Sequence, residues 1–154
     1  MSKHINYTGI DYLILGATFF LFLASLIYIG MEYSNLPETV PSHFNAQGEV
    51  DSYESKSILW IVTGIFSVVA VGLYFLAKST SVHNIQLRSK EANFRSIAVF
   101  MPFIALVNSI VVYSIIQSAK GPFSFSKWIL PLLLVITIIF LIIMFRILYT
   151  NKKS

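Results

Sequence analysis

The sequence contains no cysteine and little charge. Without cysteine, the chain has no disulfides, no thiolate metal sites and no cysteine nucleophile. Charged residues make up 12% of its 154 residues, whereas a soluble domain carries about 25%. By contrast, 56% of the residues are hydrophobic and the mean hydropathy is +0.74. So little charge could not cover a water-facing surface, which excludes the class of soluble globular proteins.

Four long apolar runs replace the missing polar surface. A transmembrane helix needs about 20 predominantly apolar residues to cross the hydrocarbon core of a bilayer. The runs cover residues 12–31, 58–77, 97–116 and 129–149, and the only charged residue in them is Arg146, close to the end of the last. They predict an all-α fold: an integral membrane four-helix transmembrane bundle. We expect a two-helix unit over residues 1–77 and a second helical hairpin over 78–154.

Basic residues in the connections predict the orientation, because cytoplasmic loops carry an excess of Lys and Arg. Eight fall on one side of the membrane and three on the other, which places both termini and the 78–96 loop in the cytoplasm. The chain is expected in a bacterial inner membrane. The net charge of +4 then reflects topology and anionic lipid rather than a nucleic-acid partner. The eight are Lys3, Lys78, Arg88, Lys90, Arg95, Arg146, Lys152 and Lys153, against Lys56, Lys120 and Lys127.

No ionisable residue lies near the centre of any predicted span. Such residues mark ion and proton pathways, so their absence argues against a coupled pump or an ion channel. Asn108 is the most polar residue at membrane depth. We favour an interhelical polar contact for its side chain over contact with a substrate.

The predicted extracytoplasmic loop, residues 31–57, differs from the rest of the chain because it is rich in turn formers and ionisable groups. Pro37 and Pro41 favour extended backbone at the residues that precede them. The Asn45-Ala-Gln-Gly48 segment is typical of a turn, with Gly48 free to adopt positive φ. We therefore predict two short extended arms joined by a turn, with the apolar side chains of the arms on the bundle or bilayer surface.

The same loop supplies a candidate constellation of polar side chains. His43 with Asp51 or Glu49 could form an acid–base pair or bind a divalent metal. One histidine with scattered carboxylates is a nonspecific pattern for either chemistry. A hydrogen-bonded cap or a recognition surface is the favoured interpretation, so no cofactor and no catalytic residue are expected.

The order of residues in this loop resembles the signature of domain-of-unknown-function family 1648. That signature has Leu-Pro, then Pro-x-His-[aromatic]-Asn, then Gly, Asp and Lys, and it lies directly after a first transmembrane helix. The matching site residues here are Pro37, Pro41, His43, Asn45, Gly48, Asp51 and Lys56. The domain occurs at the amino end of proteins similar to the sporulation-delaying-protein immunity family (SdpI), bacterial membrane proteins that protect a producer cell from a secreted toxic peptide.

Three functional hypotheses follow. The leading one is a membrane protein of SdpI-like type that binds an extracytoplasmic ligand, such as a toxic or antimicrobial peptide, for immunity or envelope-stress sensing. The second is a small membrane enzyme or metal-binding protein that uses His43 and Asp51, and it is the less favoured class. The third is an accessory subunit of a transporter. The expected partners are the lipid bilayer and an extracytoplasmic peptide, and the sequence leaves the oligomeric state open.

Overall fold

The computed structural model describes residues 5–82, 89–121 and 126–151. Five helices and one β-hairpin make up these segments. In chain order they are α1 (Gly9–Glu32), a 3-10 turn (Tyr33–Asn35), β1 (Thr39–Phe44), β2 (Val50–Ser55), α2 (Ile58–Val82), α3 (Lys90–Ala98), α4 (Phe100–Lys120) and α5 (Ser126–Asn151). The hairpin of β1 and β2 is the one sheet in the described segments and an addition to the expected all-α fold.

The four predicted spans are confirmed, since four helical stretches in the described segments are long and apolar enough to cross a membrane. They run over Gly9–Asn35, Ile58–Ser79, Lys90–Lys120 and Lys127–Arg146. Large side chains such as Phe19, Phe20 and Val68 are exposed on their surfaces. Apolar surface of this extent fits lipid as its solvent, and the protein is a multi-pass helical membrane protein.

Helix α4 occupies the centre of the bundle. It packs against α1, α2 and β1, whereas α1 and α2 touch each other much less. Near the hairpin, Val112 and Ile116 of α4 meet Ile29 of α1 and Leu59 of α2 in one buried cluster. Helix α5 lies at the edge of the bundle, where it contacts α3 and α4, and none of its side chains from Lys127 to Arg146 is fully buried.

The third span begins earlier than its hydropathy predicts. In the expected 78–96 loop, the described residues 78–82 and 90–96 are helical, because α2 continues to Val82 and α3 begins at Lys90. The Ser89 hydroxyl caps α3 by accepting a hydrogen bond from the Ala92 amide at 3.1 Å. A break at Val99 separates α3 from α4. Pro102 explains the break, because proline has no N–H for the carbonyl four residues earlier and its ring crowds that carbonyl. Pro131 lies inside α5, which begins at Ser126.

A buried ion pair closes the end of the bundle opposite the hairpin. Both Asp11 oxygens accept hydrogen bonds from Arg95, at 2.8 Å from Nε and 2.9 Å from Nη2. Thr8, which caps α1, donates its backbone N–H to Asp11 at 2.8 Å and accepts from Arg95 Nη2 on its hydroxyl at 2.8 Å. Asp11 is fully buried, while the Arg95 side chain is 26% exposed. Arg95, predicted as a solvated loop charge, instead joins α3 to α1.

An aromatic cluster lies beside this ion pair. The Phe94 ring is fully buried and meets Tyr7 edge to face, with centroids 5.3 Å apart. Burial, reinforced by a hydrogen bond with Tyr74, raises the pKa of Tyr7 to about 12, so its phenol stays neutral at physiological pH. Of the basic residues used to predict orientation, Lys3, Arg88, Lys152 and Lys153 lie outside the described residues.

Candidate functional site

The extended arms and turn predicted in the 31–57 loop are present as an antiparallel hairpin. Thr39 pairs with Ser55, Val40 with Glu54 and Pro41 with Tyr53. The Lys56 amide donates to the Glu38 carbonyl at 2.9 Å, so the Val40–Glu54 pair two residues on is also a hydrogen-bonded pair. Pro41 therefore stands at a position that needs no N–H in the ladder, which is where a strand tolerates proline.

Asn45 organises the turn between the strands. Its side-chain oxygen accepts hydrogen bonds from the amides of Gln47 at 3.0 Å and Glu49 at 2.9 Å. Its side-chain nitrogen donates to the Glu49 carboxylate at 3.1 Å, and its carbonyl accepts from the Gly48 amide at 2.9 Å. Gly48 has a φ of +79°, a conformation that L side chains rarely adopt. These two signature residues therefore determine the shape of the turn.

The regular register fails at His43. It shifts between Pro41 and His43 and again between His43 and Phe44. As a result, neither Ser42 nor Asp51 lies directly opposite a residue of the other strand. Such bulges redirect side chains and are over-represented beside functional sites. Here the irregularity coincides with a contact of 2.5 Å between His43 Nδ1 and Asp51 Oδ1. The pairing of His43 with Asp51, one of the alternatives weighed from the sequence, is thus present at the hairpin surface, with the side chains 67% and 45% exposed.

The remaining signature residues hold the hairpin to the helices. Lys56 lies 3.1 Å from the Glu38 carboxylate, 3.4 Å from the Leu36 carbonyl and 5.1 Å from the centroid of the Tyr33 ring. A cation over the face of an aromatic ring contributes about 0.5–2 kcal/mol of stabilisation. Lys56 therefore links the base of the hairpin to Tyr33, which directly follows α1. Pro41 is buried and Pro37 is exposed.

Two apolar side chains attach the hairpin to the bundle. Leu36 and Val40 are buried in the cluster that contains Ile29, Leu59 and Ile116. Phe44 and Val50, the other apolar residues of the arms, are partly buried. The sequence-based prediction that this apolar side lies down on the bundle is therefore confirmed for Leu36 and Val40, and in part for the other two.

A cavity of about 220 Å³ opens between the hairpin and the outer turns of α4 and α5. The hairpin contributes Ser42, His43, Phe44, Asn45 and Gly48 to its wall. The helices contribute apolar side chains, chiefly Val111 and Ile115 of α4 and Ile129, Leu130 and Leu133 of α5. Three signature residues, His43, Asn45 and Gly48, thus line a single cavity. Nothing in the sequence predicted that the last helix would contribute to it.

The metal-ligand candidates do not form a three-ligand cluster. Within residues 5–82, 89–121 and 126–151, no three His, Asp or Glu side chains come together. Asp51 contacts His43, whereas the Glu49 carboxylate is bonded to Asn45. The pair of His43 and Asp51 by itself offers two ligands to a metal, fewer than the three protein ligands of a typical catalytic zinc site.

Asn108, the candidate intramembrane polar residue, lies at the centre of the bundle and is fully buried. Neither its oxygen nor its nitrogen has a hydrogen-bond partner among the described residues. Its neighbour Ser109 makes the interhelical bond at this depth, since its hydroxyl lies 2.9 Å from that of Ser25 in α1. Asn108 is separate from the hairpin cavity.

The fold and site together define a multi-pass helical membrane protein with an acidic hairpin closing one end of its bundle. Residues 20–66 match the model of the family described as domain of unknown function DUF1648. This match confirms the resemblance that the loop motif indicated. The match covers the second half of α1, the hairpin and the start of α2.

A curated relative matches about a third of the chain. An uncharacterized protein of Archaeoglobus fulgidus is 40% identical over 52 residues, which amount to 34% of this chain and 28% of the archaeal protein. The aligned segment thus spans little more than a quarter of that relative's length. No solved structure matches the chain.

Proposed function

We propose that this protein is a membrane receptor of SdpI-like type, which binds an extracytoplasmic amphipathic ligand and protects the cell from it or signals its presence. The ligand class we favour is a cationic antimicrobial peptide. In this proposal the hairpin lies outside the cytoplasmic membrane and both termini lie inside, the orientation that the distribution of Lys and Arg predicts.

The cavity beside His43 is the observation that carries this proposal. One side of it is polar, with Asn45 and with His43, which contacts Asp51 outside the cavity wall. The other side is the mainly apolar surface of α4 and α5. Binding sites are typically concave and mostly apolar, with a few polar groups that orient the ligand. A ligand at this position would meet the water-facing hairpin and the outer turns of the helices at once, as an amphipathic peptide at a membrane surface does.

Charge on the hairpin favours a cationic ligand. Lys56 is paired with Glu38, and Lys120 lies 2.7 Å from Glu32. Glu54 and the Asp51–His43 pair then leave the exposed strand β2 acidic. An acidic surface attracts cations and raises their rate of association.

Bacterial cells that produce the protein are expected to survive several-fold higher concentrations of at least one cationic peptide than cells carrying an empty vector. His43→Ala removes a polar contact at the cavity, and loss of about 1.5 kcal/mol would weaken binding about tenfold. Minimum inhibitory concentrations over a panel of cationic antimicrobial peptides measure the effect.

The matched control is Thr39→Ala, which truncates an exposed hairpin residue outside the cavity. It should protect as well as the wild type at equal membrane abundance. Equal sensitivity of producing and non-producing cells to every peptide in the panel would contradict the proposal.

A second candidate function rests on the 2.5 Å contact between His43 and Asp51. A carboxylate beside an imidazole orients the ring for acid–base chemistry, and the two side chains are also donors for a divalent metal. This hypothesis predicts one bound metal ion per purified protein, lost in both His43→Ala and Asp51→Ala. Inductively coupled plasma mass spectrometry measures this, and equal metal content in wild type and variants would refute a metal function.

A further inference from the structure

The outer edge of β2 is uncovered. Strand β1 packs on α4, whereas among the described elements β2 is in substantial contact with β1 alone. Every residue of β2 from Asp51 to Ser55 is exposed. An exposed strand edge presents a row of backbone N–H and C=O groups that another extended chain can pair with.

The register identifies which backbone groups face outward. Antiparallel pairs alternate between hydrogen-bonded and non-hydrogen-bonded, and Val40–Glu54 is a hydrogen-bonded pair. The neighbouring pairs are then non-hydrogen-bonded, so the N–H and C=O groups of Tyr53 and Ser55 point away from β1. Tyr53 and Ser55, two residues apart on β2, therefore present their backbone N–H and C=O groups at the free edge.

We propose that an extended cationic peptide segment adds to this edge as a third strand antiparallel or parallel to β2. This mode of recognition rests on the proposed function and specifies how the hairpin would hold a peptide ligand. When a peptide adds to a sheet edge, main-chain hydrogen bonds supply the affinity and side chains supply the specificity. In this protein those hydrogen bonds would join the peptide to Tyr53 and Ser55. The acidic side chains Asp51 and Glu54 select basic residues in the added strand.

Charge also decides against a second copy of this chain as the occupant. Pairing β2 with another β2 would bring Asp51 and Glu54 of both copies onto one small sheet. Like charges on neighbouring strands are destabilising. A basic extended segment meets the same edge with opposite charges.

The test uses the whole protein in phosphatidylcholine nanodiscs and a fluorescently labelled peptide of four Lys-Val repeats. We expect saturable binding by fluorescence anisotropy, none to empty nanodiscs and none of the Glu-Val counterpart. Tyr53→Pro removes one outward N–H but no bond of the β1–β2 ladder, and it should weaken binding at least tenfold. Tyr53→Ala is the control, since it loses the exposed ring and keeps the N–H.

A second measurement keeps the test decisive even where proline disturbs the hairpin. A Lys-Val peptide that is N-methylated on every residue has no N–H on either edge and cannot pair with β2. It should bind the wild-type protein at least tenfold more weakly than the unmodified peptide. Undiminished binding of the N-methylated peptide, equal binding by Tyr53→Pro and Tyr53→Ala, or no binding of the Lys-Val peptide would overturn strand addition. Protection in the cell assay with these outcomes would leave the proposed function standing.

Discussion

Replacing Arg95 with leucine is expected to lower the free energy of unfolding by about 3–5 kcal/mol, because it strands the carboxylate of Asp11. Asp11 is fully buried and receives hydrogen bonds from Arg95 on both of its oxygens. Removing one partner of a buried pair leaves a charge without compensation, and this costs far more than an exposed pair contributes. Unfolding of the purified protein by titration with sodium dodecyl sulfate measures the change.

The double variant Asp11→Leu/Arg95→Leu should regain part of this loss. A buried ion pair replaced by apolar side chains is often close to neutral, although here Thr8 also loses its hydrogen bonds to Asp11. Lys127→Leu, an exposed cation in the first turn of α5, is the control and should change stability little. A loss below about 1 kcal/mol for Arg95→Leu would show that water reaches Asp11 and that the pair is not a structural anchor.

Val40→Asp is expected to detach the hairpin from the bundle and to abolish the proposed ligand binding. Val40 is fully buried against the apolar cluster of α1, α2 and α4, where an unpaired carboxylate cannot be accommodated. The variant loses the burial of Val40 and release would expose Leu36, and each of these side chains contributes about 1.5–3 kcal/mol by its burial in the wild type. The transmembrane helices themselves should remain, since α4 packs directly on α1 and α2.

Limited proteolysis with a glutamate-specific protease reports the detachment. Cleavage after Glu49 or Glu54 should become at least tenfold faster in Val40→Asp, while circular dichroism shows unchanged helix content. Thr39→Asp places the same charge on the exposed neighbouring residue and should leave cleavage slow. Unchanged cleavage in Val40→Asp would mean that the hairpin resists the protease without the apolar contact of Val40 with the bundle.

The spans and the hairpin could be predicted because their signals are local. About 20 apolar residues suffice to predict a span. Pro41 favours extended backbone before it, and Asn45 and Gly48 favour a turn. The shift in register at His43 has no such signal, because it depends on how β1 and β2 meet. The contact of His43 with Asp51 could therefore be considered but not predicted.

Long-range contacts account for what the sequence did not predict. Asp11 and Arg95 are 84 residues apart, and counting Arg95 as a loop charge concealed its partner. Helix α3 was likewise not predicted, because its hydropathy is low. Charged residues such as Lys90 and Glu91 begin this helix, although it forms the first part of a membrane span. The cavity wall formed by Ile129 and Leu133 depends on where α5 packs, which no local pattern in those residues specifies.

The docking of β1 on α4 also fixes an order of events during synthesis. The hairpin ends at Ser55, but the residues of α4 that receive it lie about 60 residues further along the chain. At about 5–20 residues per second, roughly 3–12 seconds separate the emergence of the two from the ribosome. A nascent chain with two inserted helices therefore carries a hairpin that still lacks its contacts with α4, and the hairpin completes its docking only once translation has passed the third span.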